Sequence, residues 1–253
     1  MAESNIIGSV MKAINVLNMM AKEPYEYTAL EISREVGLNR TTVHRLLSTL
    51  VEGRMVIQSK STSKYMIGPQ AYRMGMAYKY GFDSEDVIKK IINETGKQLR
   101  MSVGYSIKDG MDVISLYDVE QYADVLFGYK IGSKWPLYRG ASGKSVIAFH
   151  EPLSELVELV QVMKMDKKTE NTITDPVELL KDYENIRKRG YAISDEESII
   201  GAMGIGYPVR NPSGEVIATV SIATIKASMD EARIKEVVGI LRETAGQIEN
   251  HIF

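Results

Sequence analysis

The sequence predicts an α+β protein. It has an N-terminal winged helix-turn-helix, a connecting helix, and a C-terminal domain in which helices flank an antiparallel sheet. Three observations predict this class. Residues Thr28–Leu50, TALEISREVGLNRTTVHRLLSTL, divide into two short helical patterns around a turn. Two short strand-like runs follow at once, separated by a polar loop. From Ser102 the spacing of apolar residues changes from helical to alternating, with helical patterns at both ends of the alternating region.

Residues 1–8 read as a tail. A helix starts at Ser9, with Val10, Ala13, Ile14, Leu17 and Met20 on its apolar face, and stops near Pro24. Thr28 and Glu31 form a capping box, and Ala29, Ile32, Ser33 and Val36 recur at helical spacing behind it. Gly37 takes the left-handed exit and Leu38 fills the corner. Asn39 caps a second helix whose Val43, Leu46, Leu47 and Leu50 make one apolar stripe. The other face presents Arg40, Thr41, His44, Arg45 and Ser48, and no acidic residue lies between Asn39 and Val51. A helix held by one stripe and basic on the other suits the major groove of double-stranded DNA. The bland alternative is a helical hairpin with a solvated basic face.

Met55–Gln58 and Lys64–Ile67, around Ser59–Ser63, read as a hairpin, hence a wing; Lys60 and Lys64 are its candidate phosphate contacts. Gly68-Pro69 restarts a helix, and residues 70–80, QAYRMGMAYKY, are rich in Tyr and Met, as a dimerisation helix would be. Ser84 opens another helix with Val87, Ile88, Ile91, Ile92, Thr95 and Leu99 inward. Strands are expected at Ser102–Ile107, Asp112–Val119 and Ala123–Ile131, with a turn at Lys108-Asp109-Gly110. A helix from about Ala141 to Phe149 follows, then helices at Leu153–Met163 and Pro176–Lys188. Strands at Tyr191–Ser194, Gly204–Arg210 and Glu215–Ile225 precede a final helix from about Asp230. The domain bounds are 1–68, 69–83 for the connector, and 84–253.

Composition narrows the function classes. The chain has 253 residues, 25% charged and 44% hydrophobic, with no cysteine. Disulfides and thiolate zinc sites are therefore excluded, and His44, His150 and His251 have no metal-ligand spacing. No signal peptide or membrane-length apolar run is present, so a cytoplasmic location and no membrane partner are expected. Residues 1–75 hold nine basic and six acidic residues, and the remainder 22 and 27. A mildly basic head on an acidic body fits local contact with phosphates.

These pieces, in this order, resemble the IclR family of transcription regulators. The resemblance runs from Gly8 onward. It rests on SVMKAINVLNMM, LEISREVGLNRTTVHRLLSTL, KYMIG, GSKWPLYRGASGKSVIAF, TENTITD, IRKRGYAISDEE and GYPVRNPSGEVIATVSI. It implies a GAF-like C-terminal domain that binds a small-molecule effector, and homodimers, often paired into a dimer of dimers. It also implies effector contacts at Trp135, at Ala141 and Ser142 on a helix start, at Asp195, at Ala202 and Gly204, and at Ser221 and Ala223. Phe127 matches an apolar wall. Free N–H groups at a helix start suit a carboxylate, so an anionic metabolite is expected. Many members carry Cys at the position of Gly204 and a hydroxyl at that of Ala223; a larger, more apolar pocket is expected here.

On this reading Arg40, Thr41, Thr42, His44 and Arg45 approach DNA, with Asn39 at the start of the same helix. Arg45 is the candidate for a bidentate guanine contact, and the alternative for Thr42 is to cap the helix with Asn39. No cofactor and no catalytic residue are expected. The run Gly140–Ser145, GASGKS, is too short for a phosphate loop, because the required first glycine is Tyr138. A hydrolase is disfavoured by the absence of cysteine and of a G-x-S-x-G elbow. A sensor acting through protein contacts is the remaining alternative, and it leaves the basic helix without a use.

Overall fold

The computed structural model describes residues 6–80, 85–119 and 130–252. The chain divides into two compact units, 1–83 and 84–253.

In the first unit, α1 (Gly8–Met20), α2 (Ala29–Glu35) and α3 (Arg40–Glu52) precede a hairpin of β1 (Val56–Gln58) and β2 (Tyr65–Ile67); α4 (Pro69–Tyr80) follows. The core is Val16, Met20, Tyr27, Ile32, Val43, Leu47, Leu50 and Val56, one stripe from each element. The capping box forms as the spacing implies: Thr28 Oγ1 accepts from Glu31 N, and Glu31 Oε2 accepts from Thr28 N at 2.7 Å. Gly37 has φ +65°, and Ser33 Oγ donates to Leu38 O, closing the turn. The hairpin pairs Val56 with Ile67 and Gln58 with Tyr65. One strand contact was not expected: Tyr27 and Tyr65 exchange both backbone hydrogen bonds, at 3.0 and 2.7 Å.

In the second unit, α5 (Glu85–Leu99) leads into β3 (Ser102–Asp109) and β4 (Asp112–Val119). Then come β5 (Lys134–Pro136), α6 (Gly140–Ile147), α7 (Leu153–Val162), α8 (Pro176–Arg189), β6 (Ala192–Asp195), β7 (Ala202–Arg210), β8 (Val216–Ile225) and α9 (Glu231–Ile252). Among the described residues the sheet is antiparallel, in the order β5-β4-β3-β8-β7-β6. β3 runs through the expected turn to Asp109, leaving Gly110, at φ +61°, in a tighter loop. β5 was not expected; three residues are too few to show alternation. The strand expected at Ala123–Ile131 lies for the most part outside the described residues.

The sheet has two unlike faces. One packs Val103, Tyr105, Ile205, Val220 and Ile222 against α5 and α9, whose Ile92, Leu99, Leu241 and Ile248 are fully buried. The other face is built of small residues. Register aligns Ser102, Ala223, Gly204 and Ser194 in one row across β3, β8, β7 and β6, and Gly104, Ser221 and Gly206 in the next. This floor lets α6 lie unusually close. A Cβ at Gly206 would stand 2.5 Å from Ala141 O, and one at Gly143 2.9 Å from Leu137 Cα. All eight residues of α6 are buried.

Candidate functional site

The two units each present one candidate site, taken in turn.

On α3, Val43, Leu47 and Leu50 face the core, and Arg40, Thr41, His44 and Arg45 are exposed. Asn39 Oδ1 accepts from Thr42 N at 2.8 Å, so Asn39 is the cap and Thr42 supplies the backbone donor; the Thr42 side chain is half-buried. Capping uses the Asn39 oxygen inside the helix end. The wing turn closes through Ser59 N to Lys64 O and Ser63 N to Ser59 O. Lys60 is exposed there and Lys64 half-buried. Gly68 seats the wing base: its N–H donates to Met55 O at 2.7 Å, and a Cβ would overlap Arg54 O.

In the second unit a small cavity of about 50 Å³ opens where α6 meets β7 and β8. Trp135, Ser142, Ala202, Gly204 and Ala223 line it, with Arg139, Ser194, Glu197, Ile199 and Met203. Five of the residues expected at an effector site are thus brought together. Ala141 and Ser221 are fully buried just behind the lining, and the Ser221 hydroxyl is joined to that of Ser142 at 2.8 Å. Asp195 is elsewhere: it is 48% exposed and pairs with Lys226 at 2.7 Å, which with Glu196 holds the ammonium above its ordinary pKa. Phe127 lies outside the described residues.

Gly204 lines the cavity, and a Cβ there would stand 3.1 Å from Ala141 Cβ, so its bareness also lets the helix approach. The helix start is not wholly free. Gly140 N donates to Glu197 Oε2 at 3.1 Å, and Glu197 Oε1 accepts from Lys144. Lys144, 1% exposed, also bonds Asp182 Oδ2 at 2.7 Å. Burial pushes the Glu197 carboxyl up, against the lowering by Lys144 and by Gly140 N–H. Lys144 is therefore a structural cation locked between two carboxylates, not a phosphate ligand. Its partners come from the acidic phrase after β6 and from α8, and nothing near GASGKS in the sequence names them.

Among the described residues no group of His, Asp or Glu could hold a metal ion, and no helix is long and apolar enough to cross a membrane.

Comparison with known proteins places both units. The family described as IclR helix-turn-helix domain matches residues 9–60, and that described as bacterial transcriptional regulator IclR C-terminal matches 81–250. The chain is similar to the HTH-type transcriptional regulator BhcR of Paracoccus denitrificans, 26% identical over 97% of this chain and 88% of that protein. It is similar to the solved IclR of Thermotoga maritima, 30% identical with a TM-score of 0.70 over 97% and 98% of the two chains. An IclR homologue from Microbacterium hydrocarbonoxydans, solved with 4-hydroxybenzoate, shares the fold: 21% identity, TM-score 0.78, over 96% and 98%.

Proposed function

We propose how this chain acts from one premise: it belongs to the IclR family of bacterial transcriptional regulators and is a DNA-binding regulator, not an enzyme. From that premise we propose that it reads an operator with α3 and the wing, and that a small anionic metabolite bound in the C-terminal unit modulates that reading. The observation that carries the first half is the exposed basic face of α3, anchored by three buried residues on its opposite side. Arg45 reads a base, and Arg40, Lys60 and Lys64 touch phosphates. The exposed Tyr72, Met74 and Tyr78 of α4, and Val10, Met11 and Ile14 of α1, support pairing of two chains, and hence half-sites about one helical turn apart. A regulator of this kind acts in the cytoplasm.

The test is binding to a duplex selected from a random pool. Arg45→Ala should weaken specific binding by about 1–3 kcal/mol and relax preference at one base pair. Lys64→Ala should weaken all duplexes alike and make the salt slope shallower by about one. Unchanged affinity and selectivity in Arg45→Ala would remove the recognition-helix assignment.

For the effector half, the support is the lined cavity beside the start of α6, together with the 4-hydroxybenzoate held by a protein of the same fold. Filling it with Ser142→Trp should abolish effector binding.

A further inference from the structure

We propose that Arg139 is the anion anchor of the effector cavity, and that the ligand it selects is a monocarboxylate with an apolar body. This rests on the effector reading given above and adds to it the residue that recognises charge.

Arg139 lines the cavity and is 9% exposed. A guanidinium remains charged at every accessible pH, and a buried charge is ordinarily paired. Arg139 forms no ion pair among the described residues. One terminal nitrogen donates to the Tyr138 hydroxyl and to Asp166 O, both at 3.2 Å, and both acceptors are neutral. Its Nε–H is buried with no acceptor. Of the acidic groups nearby, Glu197, which shares the cavity lining, is engaged by Gly140 N–H and Lys144, and Asp182 by Lys144. The guanidinium also lies over the Tyr138 ring, 5.5 Å from its centroid. The cavity wall therefore holds a cation with no anionic partner among the described residues and an N–H donor with no acceptor there.

Next to it the start of α6 carries further backbone donors, that of Ser142 in the lining and that of Ala141 just behind it. Glu197 takes Gly140 N–H, but no described residue accepts from the N–H of Ala141 or Ser142. A guanidinium edge beside free amides at a helix start suits a planar carboxylate. The remaining lining is apolar or small: Trp135, Ile199, Ala202, Met203 and Ala223. The cavity is small and Arg139 is the one cationic side chain among its lining residues, which favours one negative charge over a phosphate dianion.

The experiment uses the full chain at constant ionic strength, with thermal shift and calorimetry. The probes are acetate, lactate, benzoate and 4-hydroxybenzoate, each beside its primary amide, with inorganic phosphate and chloride as controls. At least one acid should raise Tm and bind tenfold or more tightly than its amide. Arg139→Gln should lower that acid's affinity roughly tenfold to hundredfold and erase the acid-over-amide preference. Arg139→Lys, which keeps the charge, should retain the preference at reduced affinity.

The proposal is overturned if no acid binds the parent better than chloride does, if acid and amide bind alike, or if phosphate outcompetes every acid. It is overturned too if a folded Arg139→Gln keeps the preference. Should that variant not fold, the parent's acid-to-amide ratio and Arg139→Lys still decide. Amides binding as well as acids, with Ser142→Trp blocking both, would leave the effector cavity standing and remove only the anchor. Acid binding that survives Ser142→Trp would remove the cavity assignment itself.

Discussion

Lys144 and Gly206 show how the second unit is held at the level of single residues. Lys144→Met removes the cation between Glu197 and Asp182 and leaves a carboxylate buried without its partner. Breaking such a pair from one side costs about 3–5 kcal/mol, so the urea midpoint of that unit should fall with little change in slope. Gly206→Ala puts a Cβ 2.5 Å from Ala141 O and 2.9 Å from Ser145 Oγ. Both belong to α6, which is packed on all sides, so the strain should cost about 1–3 kcal/mol. Neither role is legible in the sequence. GASGKS displays Lys144 and permits a phosphate loop to be rejected by spacing, but the carboxylates that satisfy it are 38 and 53 residues away. Arg139 is hidden for a related reason. Before Gly140 it reads as an ordinary residue ahead of a helix, and what marks it is burial without a counter-ion, a three-dimensional property. Trp135, Ser142, Ala202, Gly204 and Ala223 were reached through resemblance and do converge on one cavity; the residues that set its charge were not.

At the scale of elements, legibility followed periodicity. α2 and α3 are amphipathic and capped, so Thr28, Glu31, Gly37 and Asn39 fixed their ends. Thr28→Ala should cost about 1 kcal/mol through loss of the cap, measurable as a lower Tm of the N-terminal unit. The long strands β7 and β8 were recognised because alternation needs length to show. β5, with three residues, was not. α6 is buried all round and has no polar face to give it a period, and the expected span from about Ala141 to Phe149 overruns its observed end at Ile147. The pairing of Tyr27 with Tyr65 joins a loop to a strand, and a single bridge leaves no pattern in either segment.

At the scale of the whole molecule, two units with separate cores imply that a perturbation in one need not reach the stability of the other. The pH response supplies a check. Burial raises the folded-state pKa of Glu197 above its ordinary 4.5. Between that value and the raised one the folded state holds more protons than the unfolded, so stability falls as pH rises. Below 4.5 both states are protonated and Glu197 contributes no pH dependence. Relative to Glu197→Gln, the parent should therefore lose stability as pH climbs from 4.5 through the raised value, then level off. The loss should appear in the C-terminal unfolding transition and leave the N-terminal one in place. A difference between parent and variant that is flat in pH would mean that Glu197 titrates normally.

The bridge between Tyr27 and Tyr65 has a kinetic consequence. Both amides donate inside it, and Tyr27 is further tied through its hydroxyl to Lys22 O and Glu23 O. Opening the wing at Tyr65 thus means detaching the segment that enters α2. In hydrogen–deuterium exchange these two amides should exchange only with opening of the N-terminal unit as a whole. The amides of Lys60 and Ser61, which have no acceptor among the described residues, should exchange at once. The wing is then a stiff arm with a loose fingertip; under the proposed phosphate contact its base is fixed before DNA arrives, and ordering is confined to a few residues at the tip.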